Sequence, residues 1–362
     1  MGRRNSEYWQ ERFVQLENAL YSKREEAAAE IEAAYRQAQR DIEAAIDKWY
    51  GRIAVNNGIS KAEAIKLLSA NQLKEFHWDV WEYIRRGEEN AVNHKWMKEL
   101  ENASAKFHIS RLEALKLETE NSLQLLFAKQ GEISERTITE GYEEGYYHTA
   151  FELQKGFNIG FDVAKIDRNY LEKVLAKPWT ADGRNFSERI WGNRVKLVNE
   201  LHSDIIRSLS AGTGTQRVID NIAKKMNVQK NHAQALVLTE GAFFSTVAEK
   251  DCYGDFDVEN YEILATLDDR TSDICQTMDG KVFPVKDMQP GVTAPPFHVR
   301  CRSTTVPFFD DDFGLKGSRA ARDENGKTYY VPDDMKYPQW KKTFVEGGSK
   351  EGLEKTARPT VP

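Results

Sequence analysis

One stretch restricts this chain more than any other. From Tyr261 to Phe309 it reads YEILATLDDRTSDICQTMDGKVFPVKDMQPGVTAPPFHVRCRSTTVPFF. Proline, glycine and aspartate recur here too often for a long helix, and β-branched and aromatic residues fill the intervals. Three short strands are predicted: Tyr261 to Leu267, Lys281 to Val285 and Thr304 to Phe309. Asp279-Gly280 directly before the second reads as a two-residue hairpin. Pro290-Gly291 and Pro295-Pro296 force an extended loop ending at His298-Val-Arg-Cys301. Cys275 and the His298/Cys301 pair are thereby expected to meet.

The rest is long helix. Ile31, Tyr35, Ala38, Ile42, Ala45 and Trp49 form a heptad-like stripe in a helix predicted over residues 6–55. Such a stripe packs on neighbouring helices or docks a partner. Ser60-x-x-Glu63 and Ser69-x-x-Gln72 are capping boxes for shorter helices. A helix over 88–130 is expected to stop at Gly131, and another continues from Ile133 to Phe161. Its tyrosines suit a bundle core better than base stacking, because acids match the basic residues in number. Lys177-Pro178-Trp179 to Asp182-Gly183 is the best linker. Helices are predicted over Phe186–Leu209, Gln216–Met226 and Lys230–Lys250, with Asn227 as the break. The last pair admits a helix-turn-helix reading, but its second helix has little with which to read bases. Ala211-Gly-Thr-Gly-Thr215 lacks the Gly-Lys-Ser/Thr ending of a phosphate loop. Asp310 to Asp312 reads as a turn, Lys327 to Val331 as a strand, and Pro338 to Phe344 as a short helix.

Composition excludes several classes. A net charge of −6 with 30% charged residues suits solvated helices, not a general attraction to nucleic acid. Three cysteines, Cys252, Cys275 and Cys301, do not make a disulfide framework. No apolar run is long enough for a membrane helix, and Arg3-Arg4 precede no signal-peptide core. Met1-Gly2 with Ser6 fits a short myristoylation pattern that polar sequence often meets by chance.

Ala265-Thr-Leu-Asp268-Asp269-Arg270-Thr271, Cys275, Asp279-Gly280-Lys281-Val-Phe-Pro, Pro295-Pro296-Phe-His298 and Cys301-Arg302 occur together in this order. That constellation resembles the Mu F-like head morphogenesis family, minor head proteins of tailed bacteriophages. Glu188-Arg-Ile-Trp-Gly-Asn193 and Thr239-Glu240 resemble the same family in phages of Gram-positive hosts. The resemblance covers roughly Ser187 to Phe309. It implies a mainly α chain with a small C-terminal α+β module of short strands. Residues 1–176 would be a helical partner-docking region, 185–345 the head morphogenesis module and 346–362 a flexible tail. The implied role is a minor capsid protein inside the head, associated with the portal or shell, acting in head assembly and DNA packaging or delivery. DNA stays as a second partner, and no membrane is involved.

Cys275, His298 and Cys301 are the only metal-ligand pattern. A fourth ligand would come from Asp268, Asp269, Asp273 or water. Many members of the family have cysteines where this chain has Ser272 and Ser303, so a metal-free module is predicted, with no cofactor; zinc is the alternative. A Cys–His nucleophile or a zinc nuclease lacks the further orienting His or Asn such chemistry uses, so no enzyme is expected.

Overall fold

The structure is a computed structural model; it describes residues 2–57, 60, 111–157, 159–210, 215–266, 270–309 and 337–350. Helices α1 (Gly2–Asn57), α2 (Arg111–Phe157), α3 (Arg168–Ala176), α4 (Phe186–Ser210) and α5 (Thr215–Asp255) precede a small sheet. Strands β1 (Asn260–Leu264), β2 (Val282–Pro284) and β3 (Thr304–Phe308) flank helix α6 (Asp273–Met278). Helix α7 (Tyr337–Trp340) continues into a π-helical turn, Lys341–Val345. The mainly α architecture with a C-terminal α+β module is as predicted. The capping boxes at Ser60 and Ser69, the strand at Lys327–Val331 and the turn at Asp310–Asp312 lie outside the described residues, apart from Ser60 itself.

Helix α1 buries a longer and differently spaced stripe than expected. Trp9, Leu20, Ile31 and Ile42 are all at most 4% exposed, and they recur every eleven residues. Phe13, Arg24, Tyr35 and Ile46 follow with the same spacing, as do Leu16, Ala27 and Ala38. Eleven residues in three turns is 3.67 per turn, close to the natural α-helical value. One continuous face therefore stays buried along the helix, without the left-handed supercoil that a heptad would impose. Ala45, assigned to the stripe from sequence, is only half-buried, and Ile46 takes its place.

Two predicted breaks do not occur. Helix α2 runs through Gly131, because Phe127, Gln130, Ile133 and Ser134 keep the buried face continuous across it. Glycine costs a helix about 1 kcal/mol relative to alanine, which this burial outweighs. Helix α5 likewise runs through Asn227: Val218, Ile222, Met226, Gln229, Ala233 and Val237 are all buried at three- and four-residue steps. There is no turn, so the helix-turn-helix reading falls with the break.

The described residues form two compact units. One comprises 1–26, 136–177 and 235–362, and the other 27–135 and 178–234. In the second unit, Tyr35 packs edge-on against Phe127 and its hydroxyl donates to Gln130 Oε1 at 3.1 Å. Arg194 and Glu120, each 1% exposed, form a buried ion pair at 3.5 Å. Asn185 and Glu188 cap α4 reciprocally: the Glu188 amide donates to Asn185 Oδ1 and the Asn185 amide to Glu188 Oε2, both at 2.9 Å. This box is written in the sequence as Asn-x-x-Glu.

In the first unit, α2 and α5 are joined by two parallel bonds. Tyr142 donates to Asp251 at 2.5 Å and Tyr146 to Asp255 at 2.6 Å, four residues apart on both helices. Trp9, Phe157 and Phe309 form an aromatic trio with centroid distances of 5.1–5.7 Å. The sheet is antiparallel with order β2-β1-β3, and Tyr261 of the central strand is fully buried. All three strands are shorter than predicted. No two-residue hairpin joins β1 to β2, since α6 lies between them. Among the described residues no helix is long and apolar enough to cross a membrane.

Candidate functional site: a cysteine–histidine cluster on the sheet module

The cluster is assembled by two short segments that leave the sheet. The first is α6. Ser272 is its N-cap, with an extended backbone, and its hydroxyl accepts the Cys275 amide at 3.4 Å. Cys275 therefore sits in the first turn of a helix only six residues long. At the other end, Met278 to Lys281 make a turn in which Gly280 has φ +72° and the Lys281 amide donates to the Met278 carbonyl at 3.1 Å. Asp279 before it has φ −54° and ψ 133°, so this is a type II turn. The positive φ at Gly280 is as expected; the hairpin type is not.

Asp279, Gly280 and Lys281 fasten that turn to β1. Asp279 Oδ1 accepts the Ala265 amide at 2.8 Å, the Gly280 amide donates to Ile263 O at 2.8 Å, and Lys281 O accepts the Ile263 amide at 2.9 Å. All three motif positions thus act on the backbone of the central strand. Thr271 has the same kind of role: its hydroxyl donates to the Thr266 carbonyl. Arg270 begins this segment, and Asp268 and Asp269 lie outside the described residues.

The second segment runs from β2 to β3. Pro296 follows a cis peptide bond. The Cys301 amide donates to His298 O at 3.2 Å, closing a turn over Val299 and Arg300. Arg300 has φ +61°, a conformation non-glycine residues seldom adopt. Its amide donates to the Thr239 hydroxyl of α5 at 3.0 Å, which holds the turn in that form. Thr239 is thus the anchor of the His-x-x-Cys loop, and Glu240 beside it is buried. The Arg302 carbonyl accepts the Thr266 hydroxyl at 3.0 Å, tying the loop to the end of β1.

These constraints bring the three predicted residues together. Cys275 Sγ lies 3.2 Å from His298 Nε2 and 3.6 Å from Cys301 Sγ. All three candidate ligand atoms fall within 4.8 Å of one another. Both cysteines are free thiols, 2% and 1% exposed, packed with Ala265 and against Phe297. His298 Nδ1 is 2.9 Å from its neighbour's carbonyl, Val299 O. A carbonyl only accepts, so Nδ1 carries the proton and Nε2 turns its lone pair to the sulfurs.

The two thiols are driven apart in acidity. Cys301 donates to the Cys275 sulfur, which lowers the Cys275 pKa most; Ser272 and Ser303 add to this against the cost of burial. The same bond and burial push Cys301 up. A shallow pocket beside the cluster is lined by Thr266, Arg270, Thr271, Ser272, Arg300, Arg302 and Ser303. Three donors with the right tautomer can hold a metal ion. Neither a third sulfur nor a second imidazole accompanies them among the described residues. Asp273 is exposed.

One buried group was missed from sequence. Glu249 of α5 is 1% exposed and accepts from Thr304 Oγ1 at 3.0 Å and Thr305 Oγ1 at 2.5 Å. Burial raises its pKa to about 7. Its place three and four residues from Ser245, Thr246, Cys252 and Tyr253, all buried, was the available signal.

The family model described as Phage Mu protein F like protein matches residues 199–306. The match takes in α5, most of the sheet module and the cysteine–histidine cluster. Over 221 residues the chain is 25% identical to minor head protein GP7 of Bacillus phage SPP1, covering 56% of this chain and 68% of that protein. Over 201 residues it is 24% identical to NAD(+)--arginine ADP-ribosyltransferase EFV of Enterococcus faecalis, covering 50% of this chain and 41% of that protein. The chain thus spans about two fifths of one relative and two thirds of the other. No solved structure matches it.

Proposed function

We propose that this protein is a minor head protein of a tailed bacteriophage, a structural part of the particle and not an enzyme. One observation carries this reading. The Mu F-like segment uses its motif residues to build a backbone clasp: Thr239, Thr266, Thr271, Asp279, Gly280 and Lys281 all bond main chain. Motif positions used in this way preserve a shape, as assembly requires, and do not converge on a reacting atom. The relative from phage SPP1 is named as a minor head protein.

Within that role, residues 1–176 dock to the portal or inner shell, and 185–345 supply the head morphogenesis module. The inward stripe of α1 is occupied within the chain, so it does not serve docking. In the same region the sequence offers Trp78, Trp81 and Trp96, and tryptophan is enriched where partners are gripped. Co-expression of the full chain with its cognate portal, coat and scaffold proteins tests the reading. The chain is expected in purified heads, protected from added protease until the shell is opened. Full-length chain left in the soluble fraction while heads assemble normally would refute it.

A further inference from the structure

The sequence alone pointed to a metal-free loop, because serines stand at 272 and 303. The geometry points elsewhere: we infer that Cys275, His298 and Cys301 hold one zinc ion, with an oxygen ligand from the adjoining pocket as its fourth. This goes beyond the head-protein role and does not depend on it.

Distances carry the argument first. Zinc–sulfur bonds of about 2.3 Å and zinc–nitrogen bonds of about 2.0 Å in a tetrahedron require sulfur–sulfur edges of roughly 3.8 Å and sulfur–nitrogen edges of roughly 3.5 Å. The cluster has 3.6 Å between its sulfurs and 3.2 Å between Cys275 Sγ and His298 Nε2. Hydrogen bonds alone would give two such edges, but all three donor atoms also lie within 4.8 Å of one another, close enough to share one ion. The histidine supplies the second argument. Its Nδ1–H is committed to Val299 O at 2.9 Å, which aims the Nε2 lone pair inward. A ligating histidine commonly fixes its orientation through such an outer bond. The third argument is architectural. The donors come from helix α6 and from the loop between β2 and β3, and each segment is pinned by its own side-chain-to-backbone bonds.

The fourth position follows from what surrounds the triad. Ser272 and Ser303 line the pocket beside Cys275 and His298, where a cysteine would have closed a four-ligand site. Beyond them the pocket is lined by Arg270, Arg300 and Arg302. Two thiolates neutralise a divalent ion, so guanidinium groups on the remaining side favour an oxygen ligand with negative charge.

Metal content and cobalt spectroscopy on the full chain test both halves. Protein purified without chelator should contain about one zinc per chain. After zinc is removed and replaced by cobalt, the spectrum should show sulfur-to-cobalt charge transfer and the visible bands of a tetrahedral ion. Adding thiocyanate should shift those visible bands, because the fourth ligand exchanges. In Ser303→Cys, a third sulfur should strengthen the charge-transfer band and abolish the thiocyanate shift. Absence of zinc, with no charge-transfer band when cobalt is added to the unmodified chain, would overturn the inference. Cobalt bands unmoved by thiocyanate would overturn it too, since they mark a site closed by a fourth protein ligand.

Discussion

The helical stretches and the sheet module are specified by different means. In α1, α2 and α5 a buried stripe sets the element, and the stripe passes over residues that would end a shorter helix, as at Gly131 and Asn227. Among the described residues of the sheet module no strand exceeds five residues, and hydrophobic periodicity has little to act on. There the conformation is dictated one bond at a time, by threonine and aspartate side chains that capture particular amides and carbonyls. A helix of the first kind tolerates polar substitutions on its outer face. A clasp of the second kind depends on a few residues, which is why those residues form a recognisable motif.

The largest expected effect lies in the helices. Phe127 is fully buried against Tyr35. Phe127→Ala should cost about 3–5 kcal/mol, through lost burial and a cavity. Urea or thermal unfolding of the full chain measures it. A cost under about 1 kcal/mol would mean that the stripe does not determine this region.

Next is Glu249, where a helix meets the sheet module. Its folded pKa, about 7, lies above its ordinary value of 4.5. The folded state therefore binds the extra proton, and stability is greatest below the ordinary value. It should fall between about pH 4.5 and 7, by about 3 kcal/mol overall, of which about 1 kcal/mol lies above pH 6.5. His148 and His202, which burial lowers to about 4 and 3, have the opposite slope, confined below their ordinary 6.5. The clean window is thus about pH 6.5 to 8. The fall there should be present in the unsubstituted chain and absent in Glu249→Gln; parallel curves for the two would exclude Glu249 as its source.

Gly280→Val sharpens the contrast from the other side. The site has φ +72°, and a Cβ would meet nothing closer than Glu262 Oε1 at 3.9 Å. Any loss is therefore backbone strain, about 1–3 kcal/mol. Thermal midpoints compared with Gly280→Asn, which accepts this conformation better, isolate the strain. Equal midpoints for Val and Asn would show that the turn rearranges freely.

Legibility in the sequence follows the same division. Ile31, Tyr35, Ala38 and Ile42 announced a helix, but four positions do not distinguish a seven- from an eleven-residue repeat; the longer span from Trp9 to Ile46 does. The break at Asn227 was misread because local propensity is weak beside a continuous buried face. In the module, Cys275 and His298/Cys301 were matched correctly from spacing and turns alone. What spacing does not encode is direction. The role of Thr239 as an anchor, 61 residues before Arg300, becomes visible only once the bond is seen. The tautomer of His298 likewise depends on a carbonyl whose orientation the fold sets.

The smallest effect should be a gain. Gly131 lies inside α2, where an added Cβ meets nothing within 4 Å. Gly131→Ala should raise stability by about 0.5–1 kcal/mol, read as a higher unfolding midpoint. A lowered midpoint would mean that the helix uses the glycine.

The central claim is that this chain serves in a phage head, gripping its partner through the helical region while the Mu F-like module holds its own shape. Cross-linking mass spectrometry on purified heads containing the full chain tests it most directly. Cross-links to portal or shell protein are expected from lysines in residues 1–176, with those in 199–306 linking mainly within the chain. Partner cross-links confined to 199–306, with none from 1–176, would contradict the account.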